Sequence, residues 1–412
     1  MMDLVSIESR QSHRAPEALV PQVSTDPVAP EGKRPGFRAR LRAALRYAAP
    51  ALLGYLAVRA VGILVMVVWG ARRGTGGLHR LATMWDADWY QDLALHGYAG
   101  SVPVPGPHGP YEAYAFFPLY PALIRLADLL TPLSVQYAAL LVAWAASLAA
   151  AWGIFAVGAH LYNRRVGVLA AVLWGILPLA VVESAAYSEP LFTALAAWAV
   201  YAAVRRHWVL AGTLTLVAGL TRPTGIALAA AVSCAALWEL LVRRGGWRAA
   251  LGAVLAPLGF LGFLGWVGLV KGRWDAYFRV QDAWESHFDF GRSTVHSLAK
   301  MLTSSHQVWL AEVVVAGVLA ASVVLFAVSV AQRQPPVLLL YGAAMLVLAL
   351  GDAAYFNSRA RFLLPAFGLL LPLAAGLARI RSRVSLLLLI GAGALCSAVY
   401  GGFLAFVYTN AS

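Results

Sequence analysis

Acidic residues are scarce in this chain: 19 Asp and Glu in 412 residues, with only 12% of residues carrying charge of either sign. An ordinary soluble domain, about a quarter charged, is excluded. Cysteine is nearly absent as well. Cys234 and Cys396 both fall in apolar stretches and no loop cysteine exists for either to pair with, so neither a disulfide nor thiol chemistry is expected. Residues 1–35 lack the apolar core of a signal peptide. Rich in Pro, Ser, Glu and charge, they read as a disordered cytoplasmic tail. No internal repeat is visible.

Hydrophobicity fills the space that charge leaves. Sixty per cent of residues are hydrophobic, and the mean hydropathy is +0.70. The expectation is an all-α polytopic membrane protein, because a lipid-exposed backbone must satisfy its own hydrogen bonds. Eleven spans are read at roughly 47–70, 134–160, 166–182, 189–204, 208–221, 225–242, 249–270, 308–330, 336–351, 362–378 and 384–408. Residues 36–46 precede them as a separate basic amphipathic helix, with Phe37, Leu41 and Leu45 on one face and Arg on the others, suited to an anionic membrane surface. The transmembrane domain then covers 47–408, with two long outer loops, 71–133 and 271–307. Gly259, Gly262, Gly265 and Gly268 form a small-residue ridge for close helix packing.

Charge orients the spans. With the N-terminus inside, the inner loops carry Arg164-Arg165, Arg205-Arg206, Arg243-Arg244 with Arg248, Arg333, and Arg379, Arg381 and Arg383, and no acid. That is the positive-inside pattern. It accounts for the net charge of +13 as topology and leaves no call for a nucleic-acid partner. From Asp86 onward every acid except Glu239 lies in or beside an outer segment, so any chemistry faces outward.

The acids cluster where the first membrane span has ended. Asp86, Asp88 and Asp92 occur within seven positions, in Trp85-Asp86-Ala87-Asp88-Trp89-Tyr90 and just beyond. A short interfacial helix would put Trp85, Trp89 and Leu93 on one face, Asp86 with Tyr90 on a second, and Asp88 with Asp92 on a third. Two residues along a helix turn about 200°, so Asp86 and Asp88 cannot enter one pocket together. The run Phe116-Phe117-Pro118-Leu119-Tyr120-Pro121 suits a re-entrant or interfacial piece, or plain packing. Glu189, ahead of Pro190, is either a helix-start charge or a second carboxylate of the site. Arg222, Arg359 and Arg361 break the positive-inside pattern at outer edges. Each is expected to bind an anionic phosphate, or to ion-pair with Asp352, Glu183 or Glu189.

Taken in order, Trp85-Asp86, His96-Gly97-Tyr98, Phe116–Pro121, Tyr187-Ser188-Glu189 and Arg222-x-x-Gly225 resemble the glycosylphosphatidylinositol mannosyltransferase 2-like family of GT-C glycosyltransferases. The Arg359–Pro365 stretch looks like bacterial members, and Pro223 stands where eukaryotic members tend to have Ser. The resemblance implies a polyprenyl-phosphate-linked sugar donor, usually mannose, used outside the membrane on a lipid or glycan acceptor. It also implies Asp86 as general base with Asp88 completing a D-x-D-like pair. On this reading Arg222, Arg359 and Arg361 bind the donor phosphate, and Trp85, Tyr90, His96, Tyr98 and Glu189 contact substrate. A divalent metal stays open, since no ligand spacing is diagnostic. The competing classes are a lipid-linked-sugar flippase, which would keep charges mid-span in broken helices, and a noncatalytic membrane scaffold.

Overall fold

The structure is a computed structural model describing residues 36–242, 245–303, 308–353 and 355–408. The tail expected at 1–35, the Arg243-Arg244 pair and part of the second outer loop lie outside the described residues. Two compact units divide at Ala44 and Leu45, and the features below belong to the second. The first contributes the exposed opening turns of α1.

Most of the described residues are helical, and none of them forms a strand. The helices run α1 (Phe37–Arg72), α2 (Gly77–Thr83), α3 (Ala87–Gly100), α4 (Leu119–Leu130), α5 (Val135–Leu161) and α6 (Arg164–Trp174). Next come α7 (Glu189–Val204), α8 (Trp208–Ala218), α9 (Gly225–Val242), α10 (Trp247–Lys271), α11 (Ala276–Ala283) and α12 (Arg292–Thr303). The last are α13 (Leu310–Ala331), α14 (Pro336–Gly351), α15 (Arg359–Phe362), α16 (Leu370–Leu377) and α17 (Arg383–Phe406).

Six of these (α1, α5, α9, α10, α13 and α17) are long and apolar enough to cross a bilayer, and a seventh crossing arises if a pair bent by 77° around 363–366 is one span. Helices α7, α8 and α14 are apolar but shorter. All eleven expected segments contain helix, yet two are not continuous. In the third, helix stops at Trp174, Gly175 caps it, and a 3-10 turn occupies Ala180–Glu183. Pro178 explains the break, having no N–H and disfavouring helix at Leu177. In the tenth, Pro365 does the same between α15 and α16. The segment 36–46 is not a separate helix either. Alanine-rich sequence from Ala43 to Ala49 favours helix and carries α1 onward to Arg72, with Pro50 inside.

The expected glycine ridge is used at one position. A Cβ on Gly259 would fall 1.8 Å from the Leu216 carbonyl oxygen, whereas Gly262 and Gly265 face open space. The second close approach comes from Gly252, where a Cβ would lie 2.4 Å from the Trp208 oxygen. Glycines seven apart therefore seat α10 on α8.

The basic loops meet at one end of the bundle. Arg164 donates to the Tyr47 carbonyl, Arg165 to the Ile380 carbonyl, and Tyr162 to Gln332. Glu239, the one acid there, pairs with Arg206 at 3.3 Å. The opposite end gathers α2, α3, the 184–189 turn, and the segments around Arg222, Trp284 and Arg361.

Candidate active site

The corner between α2 and α3 aims the first carboxylate. Trp85 has a φ of 53°, which bulky side chains rarely adopt, and the chain reverses there. Asp86 then occupies the N-cap of α3 without capping it. Its amide N–H donates to the Tyr187 hydroxyl at 2.8 Å, while its Oδ2 accepts from Arg361 Nη1 at 2.9 Å. Tyr90 shares that face, as helical spacing requires, and its hydroxyl lies 2.7 Å from Ser188 Oγ. Burial holds the phenols of Tyr90 and Tyr187 above their ordinary 10, so both remain neutral.

Arg361 joins Asp86 to a second carboxylate. Its Nε is 3.2 Å from Glu189 Oε1, and its guanidinium sits 5.3 Å from the centre of the Tyr187 ring. Arg222 Nη1 pairs with the same Glu189 oxygen and lies 3.3 Å from Ser188 Oγ. Four charges thus alternate in sign, Asp86, Arg361, Glu189 and Arg222, drawn from α3, α15, the start of α7 and the turn after α8. Glu189 is 1% exposed, and burying a carboxylate is costly unless opposite charge lies against it. The ion-pair alternative for Arg222 and Arg361 is what the structure contains, and Glu189 is both the acid in the first turn of α7 and a member of the cluster.

The cluster is not self-sufficient. Among the described residues Arg222 Nε, Thr224 Oγ1, Trp85 Nε1 and Glu189 Oε2 are buried without a hydrogen-bond partner. Most buried polar groups find one. Beside Arg361, Ala360 lines a cavity of about 350 Å³ whose walls, among them Leu177, Val318, Leu325, Leu364 and Phe367, are apolar save for Ser322.

Other expected site residues lie elsewhere. Asp88 is exposed on another face of α3, within electrostatic reach of His79 and Arg80, so it forms no pair with Asp86. His96 makes a half-exposed pair with Asp92 at 2.8 Å. Tyr98 donates to the Phe116 carbonyl at 2.7 Å and packs on Tyr114 and Trp266. Gly97 between them has a φ of 65°, the left-handed turn that ends the regular part of α3. Arg359, fully buried, donates to Ser293 Oγ at 2.6 Å and the Asp352 carbonyl at 2.7 Å, away from Arg361.

The apolar stripe is also used differently. Trp89 stacks on Phe116 and meets the edge of Trp284, a residue of the second outer loop, instead of facing headgroups. The Phe116–Pro121 run opens α4 and is tied down where the Leu119 amide donates to the Leu220 carbonyl. Arg59 went unnoticed in the sequence. A single charge inside the first apolar span was its signal, and it is buried beside Ser184. Among the described residues no three His, Cys, Asp or Glu side chains gather into a metal-binding group.

No protein-family model matches this sequence, and no curated protein matches it. Solved structures do. ArnT from Cupriavidus metallidurans bound to undecaprenyl phosphate is similar over 83% of this chain and 63% of its own, with 17% identity and a TM-score of 0.52. The Archaeoglobus fulgidus oligosaccharyltransferase tethered with an acceptor peptide covers 85% of this chain and 55% of its own, at 14% identity and a TM-score of 0.45. The chain spans under two thirds of the length of either. At such identities the likeness to ArnT speaks to architecture, and the architecture is the helical GT-C-like fold that the sequence led us to expect.

Proposed function

We propose that this protein is an integral-membrane glycosyltransferase of the GT-C kind, moving a sugar from a polyprenyl-phosphate donor to a hydroxyl of a lipid or glycan acceptor on the outer face, with inversion. The observation that carries this reading is the alternating chain of Asp86, Arg361, Glu189 and Arg222, with buried donors on Arg222, Thr224 and Trp85 left unpartnered. Unsatisfied N–H and O–H groups around guanidinium charge favour a ligand with acceptor oxygens and negative charge, such as a phosphodiester. The apolar cavity beside Ala360 suits the isoprenoid tail of that ligand. The undecaprenyl phosphate bound by ArnT supports the donor class. Mannose as the sugar rests on the sequence resemblance.

The chemistry follows from these parts. The acceptor hydroxyl oxygen attacks the anomeric carbon, its proton passes to the Asp86 carboxylate, and the bond from that carbon to the phosphate oxygen breaks. The electron pair leaves with polyprenyl phosphate, whose charge Arg361 and Arg222 offset. Arg361 touches Asp86 and would touch the leaving group, which ties base and phosphate to one rigid guanidinium. Asp88, exposed on another face, is assigned no part in the step.

A flippase shares two features, the bent pair around Pro365 and a buried charge inside a span. Arg59, however, has its hydrogen bonds met within the protein, unlike a residue awaiting cargo. The discriminating assay uses detergent-solubilised protein, where flipping has no meaning. With labelled polyprenyl-phosphate-mannose and acceptor extract, labelled product is expected. Asp86→Asn should lower turnover by ~100-fold or more at unchanged melting temperature, the range for losing a general base. Arg361→Lys should raise KM for the donor more than for the acceptor. Full turnover by Asp86→Asn would sink the assignment.

A further inference from the structure

We infer that Arg59 and Glu183 are positioning residues, holding the 184–188 turn so that Tyr187, Ser188 and Glu189 meet Asp86, Arg361 and Arg222. As a statement about catalysis this rests on the reading above. As a statement about the turn it does not.

The geometry is specific. Arg59, 7% exposed on α1, donates from Nε and Nη2 to Ser184 Oγ at 3.1 and 2.8 Å, and from Nη1 to the Gly175 carbonyl at 3.0 Å. One guanidinium thus ties the end of α6 to the start of the turn, across the break that Pro178 creates. Trp144 of α5 donates to the Ser184 carbonyl at 2.9 Å. Next to it, Tyr55 of α1 donates to Glu183 Oε2 at 3.0 Å, and Glu183 Oε1 has no partner among the described residues. The Ala186 amide donates to the Leu81 carbonyl at 3.0 Å, joining the turn to α2 just ahead of Trp85.

Nothing inside 184–188 is regular helix, and its one internal backbone bond runs from the Tyr187 amide to the Ala185 carbonyl at 2.8 Å, so these bonds at one end and the ion chain at the other supply most of what holds it. Side chains from Ser184 to Ser188 are 0–3% exposed, leaving no solvent to compensate a lost anchor. A guanidinium inside a membrane span is costly, and this one is spent on the turn that carries Tyr187 and Ser188 and leads into Glu189. Tyr55 and Arg59, both on α1, are the groups that face Glu183. Burial pushes its carboxyl up to about 8, with the Arg59 charge pulling the other way.

The test uses the full chain in detergent and the variants Arg59→Met, Arg59→Lys and Glu183→Gln. Hydrogen–deuterium exchange over residues 180–190 is the readout that needs no activity. Arg59→Met should speed exchange there and not in α13, and Arg59→Lys, which can still donate to Ser184 and Gly175, should restore protection. With polyprenyl-phosphate-mannose as donor, Arg59→Met should lower kcat by ~10- to 100-fold with donor KM little changed, the pattern for misplaced groups. Glu183→Gln should remove an inflection near pH 8 from the pH profile of kcat. Unchanged exchange in Arg59→Met would overturn the inference even if the wild type transferred no sugar. Absence of transfer by the wild type, with exchange changed as expected, would count against the enzymatic reading alone.

Discussion

Glu183 and Glu189 stand six residues apart, both almost fully buried, and meet burial in different ways. Glu189 has two guanidinium groups against one oxygen, whereas Glu183 has a phenol on one oxygen and, among the described residues, no hydrogen-bond partner on the other. The Glu183 carboxyl accordingly rises from an ordinary 4.5 to about 8. The consequence for stability has a definite sign. The folded state holds this proton more tightly than the unfolded chain, so Glu183 destabilises the fold increasingly as pH climbs from 4.5 towards 8. Its contribution is most favourable below 4.5, and the loss is at most ~1.4 kcal/mol per pH unit inside that window. Melting temperature in detergent should therefore fall with rising pH, and Glu183→Gln should flatten that part of the curve. An equally steep curve in the variant would place the proton elsewhere. Residue spacing made part of this site readable beforehand. The 200° between positions two apart separates Asp86 from Asp88, and the same turn separates Arg359 from Arg361, a step the sequence reading did not take when it grouped those arginines.

At the scale of elements, the breaks matter more than the helices. Trp174 Nε1 donates to the Leu364 carbonyl at 3.1 Å, and the Tyr341 hydroxyl to the Pro365 carbonyl at 3.2 Å. Both carbonyls lose helical partners at the bend between α15 and α16, and inside a membrane protein no water replaces them. The bend is what lets Arg361 leave the helix direction and reach Asp86. Tyr341→Phe should leave the Pro365 oxygen buried and unsatisfied, costing ~1–3 kcal/mol. That should appear as a lower melting temperature, with a larger loss of transferase activity than the unfolded fraction explains. A variant as stable and active as the wild type would show the bend to be held by packing alone. Hydropathy could not reveal these breaks, because Gly175 to Pro178 and Leu363 to Pro365 are as apolar as the helices they interrupt. Prolines Pro178 and Pro365 were the only visible signs, and each also stands in a run that otherwise reads as a span. The outer motifs were legible for the opposite reason, as polar residues out of place among apolar ones.

For the molecule as a whole, the strongest regularity is the separation of charge between the two ends of the bundle. Contacts from Arg164 to Tyr47, Arg165 to Ile380 and Tyr162 to Gln332 gather loops far apart in sequence at the basic end. Asp86, Glu189, Glu285 and Asp352 sit among the segments of the other, where His108 of the first long loop pairs with Glu285 of the second at 2.6 Å. Chains insert with Lys and Arg loops retained on the cytoplasmic side, so the acidic end and the candidate site should face outward. Single cysteines test this in a background where Cys234 and Cys396 are replaced by alanine. His108 and Arg381 are both exposed, at opposite ends, and neither belongs to the proposed machinery. His108→Cys should react with a membrane-impermeant maleimide in intact cells. Arg381→Cys should react only after permeabilisation. The reverse labelling would put the site in the cytoplasm, within reach of nucleotide sugars, and would remove the need for a donor carried on a lipid. Labelling as expected leaves the site on the side where sugars must arrive by a membrane carrier, and there an apolar cavity lined by Ala360, next in sequence to Arg361, has a use.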